Sequence, residues 1–177
     1  MSKPVDRRAF GQRLLACTAA LSPPLLATAC SRRAATPAVA PEVGYTLLDG
    51  RQARLSGTRG RVLLVNFWAT SCATCVAEMP ALVDTWRRHR ERGFETLAVA
   101  MQHDPPALVA RFAQARALPF GVVIDNTGAV ARAFGDVRVT PTTFVVDRRG
   151  GIAARYEGAP DFAKLHGLLD ALLAAPA

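Results

Sequence analysis

The 177-residue chain has no second C-x-x-C pair, no internal repeat and no apolar run of 20 residues. Each absence removes a class. A tetrahedral zinc site needs four ligands at suitable spacing, so Cys72-Ala73-Thr74-Cys75 could supply only half of one, and His89, His103 and His166 stand isolated in the sequence. A membrane-spanning helix needs about 20 apolar residues; the stretch Leu14 to Ala29 has sixteen and is interrupted by Pro23-Pro24. Aromatic residues make up 7% and do not interleave with the basic ones. Arg87, Arg88, Arg90 and Arg92 therefore read as a solvated helix end that suits the helix dipole, and no nucleic-acid partner is expected.

Half of the residues are hydrophobic, enough for a packed core, and the length suits one domain with a short leader. The net charge is +8, and nearly all the positive charge is arginine. Residues 1–13 are polar and basic, then come the apolar stretch and small residues, the order of a secretory signal. Asp6-Arg7-Arg8-Ala9-Phe10 resembles a twin-arginine signal, with Gly11 where leucine is usual; a general export signal is the alternative. Leu26-Ala27-Thr28-Ala29-Cys30 resembles a lipobox, which would make Cys30 a lipidated first residue; an ordinary cleavage site would instead leave a spare thiol in an oxidising compartment. The expected organisation is an export signal over 1–29, a lipidated Cys30 and flexible tether over 30–42, and a domain over 43–177. Cys17 then leaves with the signal and Cys30 becomes the anchor, so Cys72 and Cys75 remain as a pair.

Along the domain, Tyr45–Leu48 and Gln52–Leu55 around Asp49-Gly50 predict a hairpin. Val62–Trp68 is near-continuously apolar, as a central strand covered on both faces must be. A helix follows, with Val76, Met79, Val83 and Trp86 at helical spacing. Phe94–Met101 and Phe120–Ile124 predict strands. Asp104 is placed to cap a helix opened by Pro105-Pro106, with Leu108, Val109, Phe112 and Ala115 inward. A short helix over Thr127–Phe134 follows. Thr142–Val146 and Ile152–Tyr156 predict a second hairpin, and Asp161 caps a last helix carrying Phe162, Leu165, Leu169 and Leu172. Alternation of strands and helices implies an α/β sheet with both faces covered.

A C-x-x-C that follows a buried strand and opens a helix has a chemical reason. Backbone N–H groups and the helix dipole at that end stabilise a thiolate. Cys72 would be the exposed nucleophile, and Cys75, one turn in, would resolve a mixed disulfide. Glu78 is three residues further on the same face and could accept the Cys75 proton if burial raises its pKa; otherwise it is a solvent-facing glutamate suited to the dipole.

Asn66-Phe67-Trp68-Ala69-Thr70-Ser71-Cys72-Ala73-Thr74-Cys75-Val76-Ala77-Glu78-Met79-Pro80 resembles the active-site segment of the TlpA/ResA-like membrane-tethered thioredoxins. Thr140-Pro141-Thr142-Thr143-Phe144-Val145-Val146-Asp147 is similar to their cis-proline loop. The resemblance covers roughly residues 43–175. It implies a thioredoxin-like fold, a central mixed sheet covered by helices on both faces, with an N-terminal β-hairpin extension. It implies catalytic roles for Cys72, Cys75, Glu78 and Pro141, and substrate contacts at Trp68, Ser71, Thr140 and Pro141, with no cofactor or metal beyond the redox pair. It further implies an exported, periplasmic thiol–disulfide oxidoreductase that reduces exported proteins or apocytochromes and is recharged by a membrane electron donor. Three positions depart from the pattern: Ser71 replaces the usual tryptophan, Thr74 the usual proline, and Asn66 the buried aspartate of thioredoxins proper. The first two help set redox poise. A disulfide oxidase or isomerase is the alternative, although the helical insertion of such oxidases is lacking. No threonine- and arginine-embedded peroxidatic cysteine is visible. A Cu(I) carrier of the Sco-like group would use C-x-x-x-C with a distant histidine, yet two thiolates can still bind Cu(I).

Overall fold

Residues 38–176 are described by the structure, a computed structural model. In chain order they form β1 (Gly44–Thr46), β2 (Gln52–Arg54), β3 (Val62–Trp68), α1 (Ala73–His89), β4 (Phe94–Ala100) and α2 (Pro106–Ala115). There follow β5 (Gly121–Ile124), α3 (Ala129–Ala133), β6 (Thr142–Val146), β7 (Ile152–Glu157) and α4 (Phe162–Ala174). The expectations for the export signal, for Cys17 and for lipidation at Cys30 concern residues outside those described.

The apolar run becomes β3 at the middle of a five-stranded sheet of order β5-β4-β3-β6-β7. It pairs parallel with β4 and antiparallel with β6, and β6 pairs antiparallel with β7, so the sheet is mixed. All seven β3 residues are buried. With neighbours on both edges and cover on both faces there is no polar side, hence no alternation. Each Leu or Val so buried contributes about 1.5–3 kcal/mol.

The two faces are covered differently. Leu64 and Trp68 pack on Met79, Leu82, Val109 and Leu165, joining β3 to α1, α2 and α4. Leu63, Val65 and Phe67 point the other way, onto Val130 of α3, Phe134 just after it, and the segment before β3. There Phe67, Phe134 and Phe144 form a ring cluster with centroids 4.9 to 6.0 Å apart. A five-residue helix cannot cover a sheet face, and the N-terminal segment does the rest. Ile152 N–H donates to Ala38 O and Ala40 N–H to Gly150 O, while Leu48 N–H donates to Val122 O of β5. The segment thus runs across the face from the β6–β7 turn to the far edge strand.

This corrects the tether: residues 38–42 are not free chain, because Ala40 is buried and the backbone on both sides of it is paired. Two helix readings also change. Pro105, not Asp104, occupies the α2 N-cap and supplies no side-chain cap. On α2 the buried positions are Val109 and Ala113 with Phe112 half-buried, while Leu108 is 47% exposed and Ala115 is exposed. In ten residues of which only Arg111 and Gln114 are polar, and four are alanine, periodicity fixes the phase weakly. In α4 the Asp161 cap is present, accepting from Ala163 N–H and Lys164 N–H, but the buried row is Leu165, Leu169 and Leu173 rather than Leu172.

Candidate active site

β3 ends at Trp68, and a turn closed by Cys72 N–H on Ala69 O (3.1 Å) delivers Cys72 to the start of α1. Cys72 is the N-cap residue, in extended backbone, and its Sγ accepts the Cys75 N–H at 3.2 Å. That places an orphan helix donor on sulfur, where Ser or Asp oxygen usually sits. Cys72 and Cys75 are joined as a disulfide with Cα atoms 5.2 Å apart. Cys72 is half-buried at the surface, whereas Cys75 is 0% exposed, packed in the α1-side core. Only the first sulfur can be approached from outside. Across from it, Thr140 O lies 3.7 Å from Cys72 Sγ, and the Thr140–Pro141 bond is cis.

Beneath the disulfide lies a buried polar trio. Asn66 on β3 donates through Nδ2 to Glu78 Oε1 (2.9 Å) and to Thr143 Oγ1 (3.0 Å). Thr143 is the residue directly opposite Asn66 in the β3–β6 ladder. Glu78 is 5% exposed, so the solvent-facing reading does not apply. Desolvation pushes its pKa from 4.5 up to about 7, against the Asn66 hydrogen bond that pulls it down. Glu78 Oε2 has no hydrogen-bond partner among the described residues, which leaves one oxygen free for a proton. Residues 75 and 78 share a helix face, about 5–6 Å apart at Cβ.

The structure therefore gathers Cys72, Cys75, Thr140 and Pro141 at one surface with Glu78 below, and leaves Ser71 and Thr74 exposed beside the nucleophile. Trp68 is a correction. It is 0% exposed, with its ring 5.0 Å from that of Phe112, so it packs behind the site and cannot touch an incoming chain. The histidines are another. His89 and His166 look isolated in sequence, but their rings lie 5.5 Å apart at the α1–α4 contact, with His89 Nδ1 on Thr85 O. Among the described residues, no three His, Cys, Asp or Glu side chains are placed to hold a metal ion. Two residues escaped the sequence reading. Thr143 lies far from Asn66 along the chain, and only strand register joins them. Asp104, read as a helix cap, turns instead to the loop before Cys72 and accepts from Thr70 N–H (2.6 Å) and Thr70 Oγ1–H.

The chain matches the family model described as Redoxin over residues 34–169. It is 36% identical over 96 residues to the thiol-disulfide oxidoreductase ResA of Geobacillus thermodenitrificans, a region covering 54% of this chain and 55% of that protein. It is 37% identical over 95 residues to the ResA of Geobacillus kaustophilus. The match spans about half the length of these curated relatives. Among solved structures, one from Neisseria meningitidis, described as a thioredoxin, superposes with TM-score 0.71 at 37% identity, covering 75% of this chain and 88% of that one. A thiol:disulfide interchange protein of the thioredoxin family from Chlorobium tepidum superposes with TM-score 0.70 at 25% identity, covering 77% and 97%.

Proposed function

The chain belongs to the redoxin family, and from that premise we propose that it is a thiol–disulfide oxidoreductase that reduces disulfides in exported proteins, apocytochromes among them. One observation carries the reading: a Cys72–Cys75 disulfide at a helix N-terminus, with a backbone N–H on the outer sulfur and the inner sulfur fully buried. In the reduced protein the Cys72 thiolate attacks one sulfur of a substrate disulfide, and the substrate's other sulfur leaves as a thiolate. Cys75 then gives its proton to the Glu78 carboxylate and attacks Cys72 Sγ, releasing the substrate's second sulfur. Two electrons pass to the substrate, and the Cys72–Cys75 disulfide is formed.

Thr140 and Pro141 form the wall against which the substrate chain lies, with Thr140 offering backbone groups and exposed Ser71 flanking the nucleophile. An electron donor in the membrane returns the disulfide to the dithiol, and no cofactor is needed. The protein works on the periplasmic side, exported by the signal in residues 1–29 and held by a lipid on Cys30. The placement of residues 38–40 supports that arrangement: the chain enters at the β6–β7 turn, at the opposite end of the strands from Cys72, so a tether there leaves the disulfide free to meet substrates.

The test is the fate of two single variants with a disulfide-containing protein substrate. Cys72→Ser abolishes exchange, and Cys75→Ser accumulates a mixed disulfide on Cys72; an active Cys72→Ser variant would refute the assignment of roles. The reduction potential then decides direction. A value near about −270 mV fits a reductase, whereas one near about −120 mV would make the protein an oxidase. Tight Cu(I) binding abolished by Cys75→Ser would instead mark a copper carrier.

A further inference from the structure

The Asp104 side chain is 3% exposed and lies just beyond the end of β4. A buried carboxylate is costly unless something offsets it. No cation pairs with it among the described residues, and it does not cap α2, whose N-cap is Pro105. Its hydrogen bonds are instead both from one residue: Thr70 N–H donates to Oδ2 at 2.6 Å and the Thr70 hydroxyl to Oδ1 at 2.5 Å. Thr70 sits inside the turn that Cys72 N–H closes on Ala69 O, two residues before the nucleophile. The carboxylate is also fixed from its own side, because Asp104 N–H donates to Met101 O, and Met101 N–H to Trp68 O at the end of β3. A buried carboxylate is thus held against the redox turn from the loop that follows the neighbouring strand β4.

We infer that Asp104 is a positioning residue for the exchange reaction, holding the Ala69–Cys72 turn through Thr70 and, by its charge, raising the Cys72 thiol's pKa and keeping the couple reducing. The physics sets two opposed influences on Cys72. The Cys75 N–H and the α1 dipole favour the thiolate. Asp104, in a poorly solvated position close to the same turn, disfavours it. The other carboxylate near the pair, Glu78, lies under Cys75 and is held by Asn66 rather than by the turn, so Asp104 is the carboxylate fixed to the Ala69–Cys72 turn itself. With Ser71 and Thr74 giving the nucleophile small polar neighbours, this carboxylate supplies a lever on poise that the dipeptide does not.

The inference rests on Cys72 being the reacting thiol but not on the direction of electron flow, and its readout is separate from substrate turnover. The Cys72 pKa is measured by thiolate absorbance in the reduced protein, and the potential by equilibration with glutathione. Asp104→Asn keeps an acceptor for Thr70 N–H and removes the charge. It lowers the Cys72 pKa by about one unit, tenfold in thiolate below that pKa, and makes the potential less negative. Thr70→Val removes the hydroxyl donor and loosens the carboxylate, moving both readings the same way by a smaller amount. Thr70→Ser restores the wild-type values. If Asp104→Asn fails to fold, the Thr70 pair carries the test. Unchanged pKa and potential in a folded Asp104→Asn, or in Thr70→Val, would reduce Asp104 to a structural pin and overturn the inference. Loss of exchange in Cys72→Ser tests the functional reading independently.

Discussion

Glu78 sits where its acid and carboxylate forms are nearly equal in free energy at neutral pH, because desolvation outweighs the single hydrogen bond from Asn66. A proton acceptor works best with a pKa near the working pH. Its candidacy as a proton acceptor was half-visible in the sequence: the i, i+3 spacing from Cys75 puts it on the right face, and burial, which only the structure shows, is what sets it apart from a dipole-friendly surface residue. Asn66 and Thr143, which hold it, could not be paired without the β3–β6 register. Trp68 was misread because the strand's last residue, so close to the cysteines in sequence, points into the core. The raised pKa has a sign for stability as well. The folded state favours neutral Glu78, so this contribution is fully present below pH 4.5 and is lost as pH rises through about 7. Glu78→Gln removes that dependence. Wild type should lose up to about 3 kcal/mol relative to the variant between pH 4.5 and pH 8, read from urea unfolding of the oxidised proteins. The same variant should slow resolution of the mixed disulfide about a hundredfold, measured by quenching with acid.

At the scale of elements, strands were more legible than helix phases. A fully apolar run in β3 and the alternation of strand and helix left few topologies, and the exposed–half-buried alternation of β7 shows the edge strand that β3 is not. The α2 stripe slipped because alanine is acceptable on either side of a helix, and because Asp104 resembles a cap while serving the redox turn. The Ala/Pro-rich composition of residues 31–41 concealed that its last part is structural. Ala40 has no side chain large enough to announce a core position, yet its N–H is paired with Gly150 O and its methyl is buried beside Leu55 and Val146. Ala40→Asp would place a carboxylate there, next to Asp147. The expected cost is about 2–3 kcal/mol, seen as a lower urea midpoint with the redox exchange of the folded protein unchanged; an unaltered midpoint would mean that residues 38–42 behave as free tether after all.

For the whole molecule, folding stability and redox direction are one quantity read in two ways. A thermodynamic cycle links the potential of the folded pair to that of the unfolded pair through the difference in stability between the oxidised and reduced chains. If the disulfide form is the more stable, folding makes the pair harder to reduce once oxidised, which is the property of a reductant. If the dithiol form is the more stable, the folded protein is an oxidant. Two terms oppose each other here. Closing the loop between residues 72 and 75 restricts the unfolded chain by only about 2 kcal/mol, since the sequence separation is three. In the reduced protein the Cys75 N–H and the α1 dipole return about 0.3–1 kcal/mol to a Cys72 thiolate. The balance leaves the oxidised chain ahead by about 1–2 kcal/mol. Both sheet faces are packed without help from the disulfide, so the reduced protein should stay folded and unfold in one transition. Urea titrations of the two forms at pH 7 should therefore put the oxidised midpoint higher. A reversed order would favour an oxidase over the reductase proposed above, with the same exchange chemistry at Cys72 and Cys75.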